Sequence, residues 1–314
     1  NSYLILIDVG KVYGLLGLMK YIKTNFPNEL PTWIAIFLVY FFWWIILSNF
    51  YIIPFAHLFL VIILTFHGSV QHEILHGHPT GHQGFNDLLA YPSIALWSPY
   101  FIYKSSHLKH HEDINLTIPN IDPESYFISK DDWHSLSSYR QKFAAFNMTL
   151  LGRLTLGPLW YFFALKKEFL MSFKKPFSIN FLVYFSHEVF VVIILYCIWY
   201  FFNIHFFTYI VCAYLAHSLT MLRSFYEHRS NSNPNHRSVI MQTVYPLRIL
   251  FLNNNYHFVH HKNPDMSWHQ IPREYNSNSD KYNQSNGFFL EKGYSKWFKK
   301  YLVKPVSEPK HPAF

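Results

Sequence analysis

No Asp, Glu, Lys or Arg occurs between Glu29 and Glu73, and none occurs between Glu188 and Arg223. The first of these gaps, Leu30 to His72, is 43 residues long. A helix rises about 1.5 Å per residue and the hydrocarbon core of a bilayer is about 30 Å thick, so roughly 20 apolar residues make one crossing. The first gap therefore holds two crossings, predicted over about 31–47 and 54–70, with turn chemistry from Ser48, Asn49 and Pro54. The second gap divides at Asn203-Ile204-His205 into spans over about 181–202 and 206–222. Composition agrees: 14% of residues are charged, against about 25% in soluble chains. The 20% aromatic content excludes disorder, and two cysteines exclude a disulfide framework. The expected fold is an all-α membrane protein with four transmembrane helices in two hairpins, one integral-membrane domain over 1–314.

Lys and Arg give the orientation, because short cytoplasmic loops retain them. Three precede the first span, ten lie between Gly77 and Pro176, and thirteen follow from Arg223 onward. The two hairpin turns contain none. Both termini are thus expected in the cytoplasm. The net charge of +8 then faces anionic headgroups, and no basic stripe calls for a nucleic-acid partner. Asn1–Lys20 reads as an interfacial helix rather than a signal peptide. Leu88–Tyr103 is apolar but carries Pro92 and Pro99, so it is expected to be re-entrant or interfacial. Phe146–Leu165 contains Arg153, Gly152, Gly157 and Pro158 and is expected to lie in the interface. The polar stretch over 273–314, rich in Asn and Ser, is expected to be loosely ordered.

The chain carries 20 histidines, and their spacing matters more than their number. His72 and His76 stand four apart. His107, His110 and His111 form H-x-x-H-H, and His257, His260 and His261 repeat that pattern. Such spacings put side chains on one helical face with Cβ atoms about 5–6 Å apart, close enough to share a metal ion. The predicted topology puts all three clusters, and His228, on the cytoplasmic side. His57, His67, His134, His187, His205, His217 and His311 read as lone structural or surface residues. His78, His82, His236 and His269 are intermediate. Eight or nine imidazoles are too many for one four-coordinate zinc but suit two ions. Imidazole serves Fe, Zn, Cu and Ni alike. Oxygen chemistry on unactivated C–H bonds beside a bilayer makes iron the first choice.

On these residues the chain resembles the membrane fatty-acid desaturase superfamily over about Pro31 to Pro272. The resemblance rests on His72-Glu-Ile-Leu-His76, His107-Leu-Lys-His110-His111 and His257-Phe-Val-His260-His261. The stretch from Pro264 through Trp268 to Pro272 also looks like that of many members, and Glu227-His228 like the histidine that several add as a ninth ligand. The resemblance implies a cytosolic helical cap holding two non-haem iron ions, with His72, His76, His107, His110, His111, His228, His257, His260 and His261 as ligands. It implies dioxygen as co-substrate and an acyl chain or similar aliphatic lipid as substrate. Desaturation is favoured, and hydroxylation or ketolation of an alkane, carotenoid or other lipid is the alternative. There is no His-Pro-Gly-Gly haem signature. Electrons are therefore expected from a separate ferredoxin, rubredoxin or cytochrome b5 type donor. Lys104, Lys109, Arg229, Arg237 and Lys262 offer a basic face for it or for headgroups. Glu73, Glu112, Asp113, Glu227 and Asp265 are candidates to orient the ligands, and Asn253, Asn254 and Asn255 to hold a water or form a turn.

Two other classes compete. His72-Glu73-Ile74-Leu75-His76 is also the H-E-x-x-H of zinc proteases, and Asn263-Pro264-Asp265 echoes an intramembrane protease motif without its glycine. That reading leaves both H-x-x-H-H clusters without a task. A metal transporter would place its ligands near the bilayer midplane, whereas the clusters lie at predicted span ends. The oxygenase reading predicts that His110→Ala abolishes turnover while His205→Ala leaves it near the parent rate. Equal activity in both variants would contradict it.

Overall fold

The computed structural model describes residues 15–314, with side chains from residue 28 onward apart from Asp113. The face of the helix expected over Asn1–Lys20 lies outside the described side chains. In chain order, α1 spans Leu15–Ser48, α2 Ala56–Leu75, α3 Gln83–Ala90 and α4 Tyr100–His110. Helices α5 (Lys130–Ser135), α6 (Ser138–Asn147), α7 (Leu150–Ser172), α8 (Ile179–Phe202) and α9 (Phe206–Ser224) follow. Then come β1 (Ile240–Gln242), α10 (Tyr245–Leu250), α11 (His257–Lys262), α12 (Ile271–Ser277), α13 (Ser279–Ser285), β2 (Leu290–Lys292) and α14 (Tyr294–Tyr301). The chain divides into two compact units, one made of residues up to Ser105 with Phe162–Ala216, the other of Ser106–Tyr161 with His217–Phe314.

The first unit carries the apolar helices. Among the described residues, three are long and apolar enough to cross a membrane: Asn28–Ser48 within α1, Ala56–Leu75 and Ile179–Phe202. They fall on three of the four predicted spans. The fourth prediction, 206–222, is met by a helix, α9, that is not among the three. Thr208, Tyr214, His217, Ser218 and Arg223 dilute its apolar character. Helices α6 and α7 meet at 113° and add a crossing only if the bent pair is one span. Only 22% of the apolar window of α8 is buried within the protein. Its exposed Phe185, Val192, Ile193, Trp199 and Phe201 form a surface suited to lipid rather than water.

Local chemistry sets the ends of these helices. The Ser178 hydroxyl accepts from the Phe181 N–H and starts α8. Asn203 ends it at φ 55°, in the left-handed region that asparagine tolerates. The two uncharged turns touch, because the Tyr51 hydroxyl donates to the Asn203 carbonyl at 2.6 Å. Residues 91–99 are not regular helix. Side chains from the long helices satisfy their backbone and that of the end of α3. Tyr40 donates to the Leu89 carbonyl, Gln71 to Ala90 and Tyr209 to Ile94, while His67 Nε2 bonds the Pro92 carbonyl at 3.0 Å. This is what irregular backbone requires where water is scarce.

The second unit is built around two apolar clusters. One joins Leu150, Leu222, Phe225, Met241, Phe251, Tyr294, Trp297 and Tyr301. The other joins Ile240, Tyr256, Phe258, Val259, Ile271, Tyr275 and Tyr282. Two expectations are corrected here. The stretch over 273–314 is packed rather than loose: Tyr294, Trp297 and Tyr301 form a buried stripe along α14. Their i, i+3, i+7 spacing is hidden in an otherwise Asn- and Ser-rich composition. The fold also has a small β element, since β1 and β2 pair in parallel with Ile240 opposite Leu290. Three-residue strands are too short for alternation to reveal. Replacing Trp297 by Ala should cost about 3–5 kcal/mol, lowering the thermal midpoint of the purified protein, whereas Lys300→Ala should not. An unchanged midpoint in the Trp297 variant would contradict this packing.

Candidate metal centre

Seven of the nine candidate ligands come together in the second unit. The last turn of α4 carries His107 and His110, with His111 immediately after it. Helix α11 carries His257, His260 and His261 on successive turns, all buried. His228 follows α9 and is held by a backbone bridge to Ser238. His110, His228, His257 and His261 each bring one nitrogen to within 4.8 Å of the others. The Nε2 atoms of His110 and His228 are 3.0 Å apart, those of His257 and His228 2.9 Å, and those of His261 and His257 3.1 Å. His107, His111 and His260 form a second set, with the first two Nε2 atoms 3.1 Å apart. In the first unit, His72 and His76 lie one turn apart at the end of α2, both buried, with ring centroids 4.9 Å apart.

The opposite ring nitrogens explain this convergence. His110 Nδ1 lies 2.9 Å from Asp122 Oδ1, and His107 Nδ1 lies 3.1 Å from Glu124 Oε1. An ionised carboxylate only accepts, so Nδ1 carries the proton and Nε2 presents its lone pair. His257 Nδ1 faces Asn254 Oδ1 at 3.0 Å, and His228 Nδ1 faces Ser238 Oγ at 3.2 Å. Lone pairs 3 Å apart repel unless a cation lies among them. Two imidazole nitrogens about 2.0–2.1 Å from one ion, at right angles, stand roughly 3.0 Å apart. The donor set therefore fits a divalent transition metal.

Burial, with the positive neighbours, holds His228, His257 and His261 well below the ordinary histidine pKa, which keeps them neutral and competent as ligands. Burial also opposes a charge on His110, but Glu124, Asp122 and Glu227 outweigh it and raise its pKa. Burial raises Glu227, although Arg223 contacts it at 2.8 Å. Burial would also raise Glu124, but His107 and His110 prevail and hold it below the usual carboxylate range.

Several orienting residues differ from expectation. Asp122, Glu124 and Ser238 were not among the candidates. They sit 12, 17 and 10 residues from the rings they hold, in segments with no periodic signal. Of the candidates, Glu227 lies 3.6 Å from His257 Nδ1, and Asn254 holds the same ring. Glu112 and Asp265 are exposed, and the side chain of Asp113 lies outside the described residues. Asn253 and Asn255 donate to the Trp268 and Met241 carbonyls and build the turn before α11. His78 belongs to neither set; its Nδ1 faces Glu29 at 3.1 Å and its Nε2 faces Glu73 at 3.8 Å. The expected basic face also loses members. Arg237 is buried, donating to the Ile114 and Leu116 carbonyls, and Lys104 is paired with Asp87 at 2.7 Å.

Compared with known families, residues 48–291 match the family model described as fatty acid desaturase. A comparison with curated proteins gives no match. If Asp122 fixes the His110 ring, Asp122→Asn should weaken metal binding by about 10–100-fold, while Asp265→Asn should leave it unchanged. Competition with a chromophoric chelator measures both. Equal affinities would remove Asp122 from the site.

Proposed function

Because the chain belongs to the fatty acid desaturase family, we propose that it is an oxygen-dependent diiron desaturase acting on an acyl chain or similar aliphatic lipid. Membership alone makes it a lipid-oxidising enzyme of the desaturase and hydroxylase type. The observation that carries the metal-dependent reading is the buried convergence of one nitrogen each from His110, His228, His257 and His261, with the opposite ring nitrogen of the first three already hydrogen-bonded. The full ligand set in this proposal is His72, His76, His107, His110, His111, His228, His257, His260 and His261. Iron, when bound, supplies the oxygen chemistry needed to break an unactivated C–H bond. The protein's own residues do the rest. Asp122, Glu124 and Asn254 hold their rings in one tautomer, and Ser238 bonds Nδ1 of His228. Burial keeps water away from the ligands.

The proposed topology has four spans in two hairpins with both termini in the cytoplasm. It draws support from the two uncharged turns that meet at Tyr51 and Asn203. The lipid-suited faces of the long helices give an apolar substrate a route by partition. Electrons come from a separate ferredoxin, rubredoxin or cytochrome b5 type protein. The protease reading loses ground because Asp265 is exposed rather than set in an apolar span. The decisive test is expression in a host of defined lipid content, followed by mass spectrometry. The expected product is a lipid lighter by two hydrogens. A product that only gains oxygen would replace the desaturase assignment with a hydroxylase.

A further inference from the structure

The loop between α4 and α5 carries Asp122 and Glu124, the two carboxylates that orient His110 and His107. Its backbone is strained. Thr117 has φ 68°, in the left-handed region where a β-branched residue is an outlier. Such a conformation persists only where its surroundings over-determine it. Two restraints are local: the Thr117 N–H donates to Asp122 Oδ2 at 2.8 Å, and the Ser125 hydroxyl donates to the Thr117 carbonyl at 2.8 Å. The first ties Thr117 directly to the carboxylate that holds His110.

The third restraint comes from far along the chain. Residues 309–314 lie along the end of this loop. The Ile128 N–H donates to the Pro309 carbonyl at 2.9 Å, the His311 N–H to the Ile128 carbonyl at 2.9 Å, and the Lys130 N–H to the Phe314 carbonyl at 3.0 Å. His311 is 2% exposed and packs edge-on against Phe127. Its Nδ1 accepts from the Ala313 and Phe314 N–H groups at 3.2 and 3.3 Å. The proton is therefore on Nε2, which donates toward the Ser230 hydroxyl at 3.1 Å, with the Thr117 hydroxyl at 3.5 Å. A histidine with no sequence partner thus stands over the strained residue, three hydrogen bonds from His110.

We propose that residues 309–314 are a strap and that His311 is a positioning residue for the metal centre, acting through Thr117 and Asp122 on His110. Removing the His311 imidazole lets Thr117 relax toward negative φ. Its N–H then turns from Asp122, and His110 loses its fixed orientation. The effect falls on the set containing His110, which does not include His107, His111 or His260. This inference rests on the diiron reading above for its metal readout, and on loop geometry alone for its second readout.

The test uses the full chain in nanodiscs, loaded with Fe(II) without oxygen and then exposed to an Fe(II) chelator. In His311→Ala and Ser230→Ala, one iron per chain should leave about ten-fold faster than in the parent, at the lower end of the range for lost outer partners of a ligand. The other iron should keep the parent rate. His311→Gln, whose amide can replace the Nε2 donor, should restore slow release. Parental release in both Ala variants would overturn the proposal. So would equal acceleration of both irons without rescue by Gln, which is general loosening. Hydrogen exchange at the Thr117 amide, measured without metal, should be faster in His311→Ala and recover in His311→Gln. If His311→Ala does not fold, Ser230→Ala is read in the same way. Parental protection in the variant examined overturns the strap. A parent chain that takes up no iron contradicts the diiron reading, and the exchange measurement then decides the strap alone.

Discussion

The candidate centre depends on a division of labour within the imidazoles of His107, His110 and His257. One nitrogen is committed to an acceptor, so the other has a fixed lone pair. Asp122 and Glu124 impose this on His110 and His107, Asn254 imposes it on His257, and the Ser238 hydroxyl holds the His228 ring in place through Nδ1. Without those partners each ring would be free to turn over, and the close nitrogen approaches would separate to relieve repulsion. Much of the second unit serves that end. Helix α11 is buried through His261, Arg237 braces the Ile114 and Leu116 carbonyls, and aromatic clusters fix the segments that carry the candidate ligands.

The first unit meets a different constraint. Its helices have apolar surfaces that water cannot stabilise, and its irregular stretch over 91–99 must still satisfy its carbonyls. His67 and Tyr209 reach in from the long helices to the Pro92 and Ile94 carbonyls, and Tyr40 and Gln71 do the same for Leu89 and Ala90 at the end of α3. These polar side chains explain why the helices are not uniformly apolar. They also show how a break in helical structure is held without solvent, as a membrane environment demands.

Much of this was legible in the sequence, for reasons that can be stated. Charge-free stretches of the required length locate the helices around 31–47, 54–70 and 181–202 because exclusion of charge is a property of every residue in a span. The H-x-x-H-H pattern locates the candidate ligands because three- and four-residue spacings fix one helical face. What escaped depends on distant partners. Asp122 and Glu124 lie in a loop, and no spacing rule ties them to His110 and His107. His311 read as a lone histidine because its partners are Ser230 and Thr117, 81 and 194 residues away. The order of the last forty residues was masked by composition, although Tyr294, Trp297 and Tyr301 carry a helical stripe. Helix α9 shows the converse limit: its bounds were anticipated, but its polar side chains keep it out of the three described helices that are long and apolar enough to cross by composition.

X-ray absorption at the metal edge of the purified chain is the most direct measurement of the central claim. The account predicts an iron edge, a first shell of nitrogen and the outer-shell scattering of several imidazoles. A zinc edge with a single ion per chain, or an iron shell containing sulfur or haem, would contradict it.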